Sequence, residues 1–181
     1  MVQLSRLLFS ISLLAVAFTA PVKRTVAQVE ADISSISAQV TTLDNSIKAF
    51  PNTGGSLVSA LLIHTDATTL ESTLSKGTSD VTSTGVVSQT DGRTILDQVE
   101  AFVPTILDAL SQIAAKQPAF AALPISGIPA LILQDLQTLK TDTVNFADAL
   151  IANAPATLKI EATQLVNNIA AGFNSAIAVF E

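Results

Sequence analysis

The sequence predicts an all-α fold, an elongated bundle of about five long, mostly antiparallel amphipathic helices, and three observations predict it. Between Val26 and Phe50 the large apolar residues Val26, Val29, Ile33, Ile36, Val40, Leu43, Ile47 and Phe50 alternate three and four apart, the spacing of one face of a helix. Four later segments repeat that spacing. No stretch shows the sustained apolar and polar alternation of a half-buried strand.

In the first helix, polar residues such as Gln28, Glu30, Asp32, Ser35, Gln39 and Asp44 fill the positions between the apolar ones. The helix therefore has one dry stripe that other chain must cover. Pro51, Gly54 and Gly55 end it. A second helix starts near Ser56 with Ala60, Ile63, Ala67, Leu70 and Leu74 on its seam. Leu57, Leu61 and Leu62 make its first half apolar on more than one side, which predicts deep burial there. From Ser75 to Asp91 the composition turns to Ser, Thr and Gly, predicting a frayed helix end and then a loop; its hydroxyls would also accept O-linked sugars. No Asn-x-Ser/Thr acceptor occurs.

Asp91 or Thr94 is the expected cap of a third helix running along Leu96, Val99, Val103, Ile106, Leu110 and Ile113. Pro104 interrupts that line and predicts a kink or a break into two helices. Phe120 to Pro129 reads as a proline-punctuated connection. Pro129 then suits the first turn of a fourth helix along Ile132, Leu136, Leu139, Thr143, Phe146 and Leu150. Asn153-Ala154-Pro155 stops it. A fifth runs from about Ala156 to Phe180 along Leu158, Ala162, Leu165, Ile169, Phe173 and Ala176.

Ahead of the first helix, Arg6 precedes the apolar run Leu7 to Phe18, too short to span a bilayer but suited to a secretory signal peptide over residues 1–20. Ala15-Val16-Ala17 is the best small-residue cleavage pattern, and a cut after Ala20 is the alternative. Lys23-Arg24, within 21–24, reads either as a dibasic trimming site or as two solvated charges. The expected domain is then a single helical bundle over 25–181, long enough for a sizeable core. No transmembrane segment is expected.

All 15 acidic residues follow position 24, against six basic ones, so nucleic acid is a poor partner. The chain has no Cys, which excludes disulfides and thiolate metal sites. Only 13% of residues are charged and the mean hydropathy is +0.52, so much of the wet surface is built from Ser, Thr, Asn and Gln. With one His, His64, and no Cys, Trp or Tyr, few nucleophile and base pairs can be assembled. His64 and Asp66 point apart on a helix, and Gly54-Gly55-Ser56 lacks nucleophile-elbow spacing. His64 reads more readily as structural than as a site residue. Neither catalysis nor a cofactor is expected.

Several features together resemble one family. They are the Ala-Pro-Val-Lys-Arg end of the export segment, the Val29 to Phe50 seam, Leu110 to Pro124 with Lys116, Pro118 and Phe120, and the closing Gly172-Phe173-Asn174-Ser175-Ala176-Ile177. The chain resembles the fungal hydrophobic surface-binding protein A family, which includes the lipid-binding domains of cell-wall mannoproteins. That resemblance implies a secreted or wall-associated helical bundle that binds a long-chain fatty acid or similar lipid in an apolar tunnel, or alternatively adsorbs to hydrophobic surfaces. Against the longer wall mannoproteins, the expectation here is one copy of the domain without a Ser/Thr-rich stalk or lipid-anchor tail.

The family motifs do not mark lipid contacts, so the candidate site comes from the seams. Val40, Leu43, Leu61, Leu110, Leu139, Phe146, Leu165, Ile169 and Phe173 are the candidate walls. Thr143, the one hydroxyl in its seam, is the candidate donor to a lipid carboxylate. The competing expectation for Thr143 is a bond to the carbonyl four residues back.

Overall fold

Thr25 starts α1 (Val26–Ala49) by accepting the Gln28 backbone N–H on its hydroxyl. The computed structural model describes residues 25–181; the expected signal peptide, its cut site and the dibasic pair lie outside the described residues. Ser56 caps α2 (Leu57–Thr84) in the same way. Ser88, not Asp91 or Thr94, caps α3 (Gln89–Ala115) by accepting the Asp91 N–H. A single-turn α4 (Gln117–Ala121) follows, then α5 (Ile128–Asn153) with Pro129 in its first turn, and α6 (Lys159–Phe180). The described residues thus form six helices, five of them long, and α6 starts a few residues later than expected.

The predicted loop after Ser75 is instead about ten more residues of α2. Composition misled because the seam persists through Gly77, Val81 and Thr84, all buried. The hydroxyls of Thr78, Thr82, Ser83 and Thr84 donate to carbonyls four residues back, so they sit inside the helix without competing for it. Gly77 lets the Phe146 ring approach; a Cβ there would lie 3.0 Å from it. Gly85, at φ +81°, is what stops α2.

Pro104 does not divide α3, which runs unbroken through it. Its neighbours Phe102 and Val103 are buried while Pro104 itself faces solvent, where water can satisfy the carbonyl that loses its helical partner. The expected connection after Lys116 is partly helical. Phe120 in α4 is fully buried and stacks on Phe50 at 4.1 Å between ring centroids.

The five long helices close into a ring in the order α1, α2, α5, α6, α3 and back to α1. Side-chain pairs give the directions. Ser46 to Asp66 and Lys76 to Asp32 set α1 and α2 antiparallel. His64 to Asp135 and Gly77 against Phe146 set α2 and α5 parallel. Arg93 to Glu161 and Gly172 against Leu107 set α3 and α6 parallel. With α5 and α6 antiparallel across their short connection, α1 and α3 are also parallel. The expectation of mostly antiparallel neighbours therefore fails: three of the five adjacent pairs run the same way. A ring with an odd number of helices cannot alternate throughout.

Each helix gives one stripe to the axis of the ring. This corrects the expected deep burial of the start of α2, where Val58, Leu61 and Leu62 are 78%, 43% and 53% exposed. Ala60, Ile63 and Ala67 already fill the inward stripe. Outside the core, Lys76 bridges Asp32 and Asp80, and Lys48 bridges Asp44 and Asp108. The acidic members Asp32, Asp44 and Asp80 are buried and thus find opposite charge.

Candidate functional site

The inward stripes do not fill the axis of the ring. They leave a cavity of about 100 Å³ walled by all five long helices. Nine of the ten sequence-predicted residues meet on its wall: Val40 from α1, Leu110 from α3, Leu139, Thr143 and Phe146 from α5, Leu165, Ile169 and Phe173 from α6, and Leu43 one turn below Val40. Leu61 is not among them. It sits on the outer face of α2, between the inward positions Ala60 and Ile63, so its side chain meets solvent.

Only two polar side chains reach this wall, Thr143 and Asp135. Thr138 and Thr141, on the same helix, donate to carbonyls four residues back at 3.0 and 2.9 Å. Among the described residues Thr143 forms no such bond, and its hydroxyl has no partner. The side chain stands with a free donor between Leu139 and Phe146.

Asp135 was missed in the sequence. It lies three residues after Ile132 and four before Leu139, which placed it at the edge of the same seam. Its carboxylate is buried and lies 3.0 Å from Nδ1 of His64 through each oxygen. Burial raises the Asp135 pKa, and the hydrogen bond and charge of His64 partly offset that rise. His64 comes from α2, 71 residues away, so no local motif could announce the pair.

One further step of two turns along these parallel helices brings Glu71 and Asp142. The Glu71 pKa is pushed up to about 6, first by burial and then by the charges of Asp135 and Asp142, with His64 pulling the other way. Burial also raises Asp142. Among the described residues no Ser or Thr hydroxyl bonds to His64, and no group of three His, Asp or Glu is placed to hold a metal. What the arrangement offers is a long apolar surface with one free hydroxyl and one buried carboxylate.

Residues 26–152 match the model of the family described as hydrophobic surface binding protein A. The chain is 26% identical over 171 residues to cell wall mannoprotein 1 of Aspergillus flavus, across 94% of this chain; it spans 58% of that protein's length. It is similar to the crystal structure of AFMP4P in complex with palmitic acid, at 30% identity and a TM-score of 0.80, covering 86% of this chain and 99% of that one. It is similar in fold to ligand binding domain 1 of the Penicillium marneffei MP1 protein complexed with arachidonic acids, at 18% identity and a TM-score of 0.77, covering 86% of this chain and 99% of that one. A match across most of the helical region, with an all-helical ring of the same shape, identifies the chain as a member of the hydrophobic surface binding protein A family.

Proposed function

We propose that this chain is a non-enzymatic binding protein, acting outside the cell or at its wall, that holds a long-chain fatty acid or similar lipid between its helices. One observation carries the reading: the axial cavity is lined almost wholly by apolar side chains, with Thr143 and Asp135 the only polar ones. Binding sites for small molecules combine many apolar contacts with few placed polar groups. The palmitic acid in AFMP4P supports the ligand class. The apolar run before residue 20 and the similarity to a cell wall mannoprotein support the location.

Small-molecule sites usually enclose roughly 300–1,000 Å³, so the walls must part to admit an acyl chain. α6 is the wall best suited to yield. Its first turn is held by Arg93 to Glu161 at 2.7 Å. From Ala162 to Phe180 no side chain of α6, among the described residues, makes a hydrogen bond or ion pair to another helix. Apolar packing alone holds the rest.

The Thr143 hydroxyl is assigned as the donor to the lipid carboxylate. Titration of fatty acid against the parent and Thr143→Val tests this, with the methyl ester on the parent as control. A hydrogen bond to a charged group contributes about 1.5–3 kcal/mol, so the variant should bind the acid about tenfold or more weakly. Equal affinities would remove Thr143 from the site, and no saturable binding of any acid would end the fatty-acid reading.

A second reading has its own observation. Val58, Leu61 and Leu62 form an exposed apolar face at the start of α2, which suits adsorption to a hydrophobic surface. An adsorbing protein would lose cooperative melting at an oil-water boundary, and replacing the three with Ser would abolish that loss.

A further inference from the structure

A second cavity, of about 60 Å³, lies on the same axis nearer the junction of α2 with α3. Its wall shares five residues with the first: Val99, Ala147, Leu150, Leu165 and Val166. These five come from α3, α5 and α6 and stand between the two spaces as an apolar septum. All five are only half-buried, so turning them aside breaks fewer contacts than moving a packed core residue would.

The polar groups of the second cavity are already engaged. The Thr84 hydroxyl donates to the Asp80 carbonyl at 2.8 Å, and the Asn153 amide donates to the Val81 carbonyl at 2.7 Å. The Thr84 hydroxyl is therefore spent and Asn153 keeps only its second amide N–H, while an acyl tail would find Val29, Val81, Ile95 and Leu158. In the first cavity the Thr143 hydroxyl is free. The two spaces are therefore unequal: a free hydroxyl stands in the first, whereas the hydroxyl of the second is already bonded within its own helix. Measured along α3 from Gly92 to Ile113, they span about 32 Å together.

We infer that the septum divides one lipid channel into two compartments, and that the methyl end of an acyl chain too long for the first passes the septum into the second. Chain length is then selected by Leu150 and Leu165 and by the free space around Ala162, which lines the second compartment alone. This rests on the fatty-acid reading above.

The test is a titration of ten-, sixteen- and twenty-carbon saturated acids against the parent, Ala162→Phe and Leu150→Ala. A phenyl group at 162 fills the second compartment. It should weaken the twenty-carbon acid about tenfold or more, since several methylenes lose their burial, while the ten-carbon acid changes by no more than about twofold. Leu150→Ala opens the septum and should raise the twenty-carbon to ten-carbon affinity ratio. A chain-length profile identical to the parent's in a folded Ala162→Phe overturns the inference. Should Ala162→Phe lose its helical signal, an unchanged ratio in Leu150→Ala overturns it instead. If no acid of any length binds the parent, the fatty-acid reading itself has failed; if acids bind with an unaltered profile, only the two compartments have.

Discussion

Glu71 offers the sharpest test of the electrostatics beside the cavity. It lies half-buried on α2, with one carboxylate oxygen enclosed and without a hydrogen-bond partner. Its pKa is about 6 against an ordinary 4.5. An unfolded chain releases this proton near 4.5 while the folded one keeps it to about 6, so across that window the native state binds more protons and stability falls as pH rises. Below the window the residue is neutral in both states and contributes no penalty. Above it the penalty is complete. A shift of this size corresponds to at most about 2 kcal/mol, and a carboxylate still partly in water, screened by salt, retains about half, or about 1 kcal/mol. Glu71→Gln keeps the shape and removes the charge. It should therefore stabilise the protein by about 1 kcal/mol at pH 8, or about 2–4 °C in melting temperature, and leave it unchanged at pH 4. With no Trp or Tyr in the chain, urea unfolding is best followed by far-ultraviolet circular dichroism. Equal gains at pH 4 and pH 8 would refute the reasoning, because a packing or hydrogen-bond effect does not depend on the ionisation of residue 71.

Other perturbations probe the seams and caps. Lys116 is buried and donates its ammonium to the Phe50 carbonyl and to Asn52 Oδ1; Lys116→Met should cost about 1–3 kcal/mol in urea unfolding by leaving that carbonyl unpaired. Gly172 marks a close approach, since a Cβ there would lie 2.9 Å from Leu107 and 3.2 Å from Leu110. Gly172→Val should lever α6 off α3, destabilise by about 1–3 kcal/mol and speed amide exchange along α6; unchanged exchange would show that the two helices can reseat. Arg93→Gln removes the contacts to Asp97, Glu100 and Glu161. Because these are exposed, the effect should be confined to faster exchange in residues 159–166 and should vanish in high salt.

The helices were legible because burial leaves a periodic trace. Ser56 could be read as the start of α2, and the seams of α1, α3, α5 and α6 named most residues that line the axis. The end of α2 was misread because a stretch rich in Ser, Thr and Gly looks like a loop by composition, while its register, Leu74, Gly77, Val81 and Thr84, remains helical. The break expected at Pro104 does not occur, for the opposite reason. The proline interrupts the list of apolar residues, yet the side chain faces water and the helix continues.

Neighbour relations were not legible, and the reason is geometric. A seam says that a stripe is covered, not which helix covers it. The connection from Gly85 to Ser88 is short, which suggests that α2 and α3 lie side by side, but α1 packs between them in the ring. Once five helices close around an axis, their inward residues must fill a central column from five directions. Small residues at Ala67 and Ala109, together with Thr143, leave that column incompletely filled. The cavity is thus a property of the ring and of the side-chain sizes facing its axis jointly. Seams alone could nominate Val40, Leu139 or Phe173, but also nominated the outward Leu61, because only closure of the ring decides which apolar positions meet. The same closure brings His64 beside Asp135 and sets one buried carboxylate on a wall whose only other polar side chain is Thr143. Of the two polar groups that distinguish this interior from an ordinary core, Thr143 was legible because it lies in a seam, while the pairing of Asp135 with His64 joins positions 71 residues apart and leaves no local pattern.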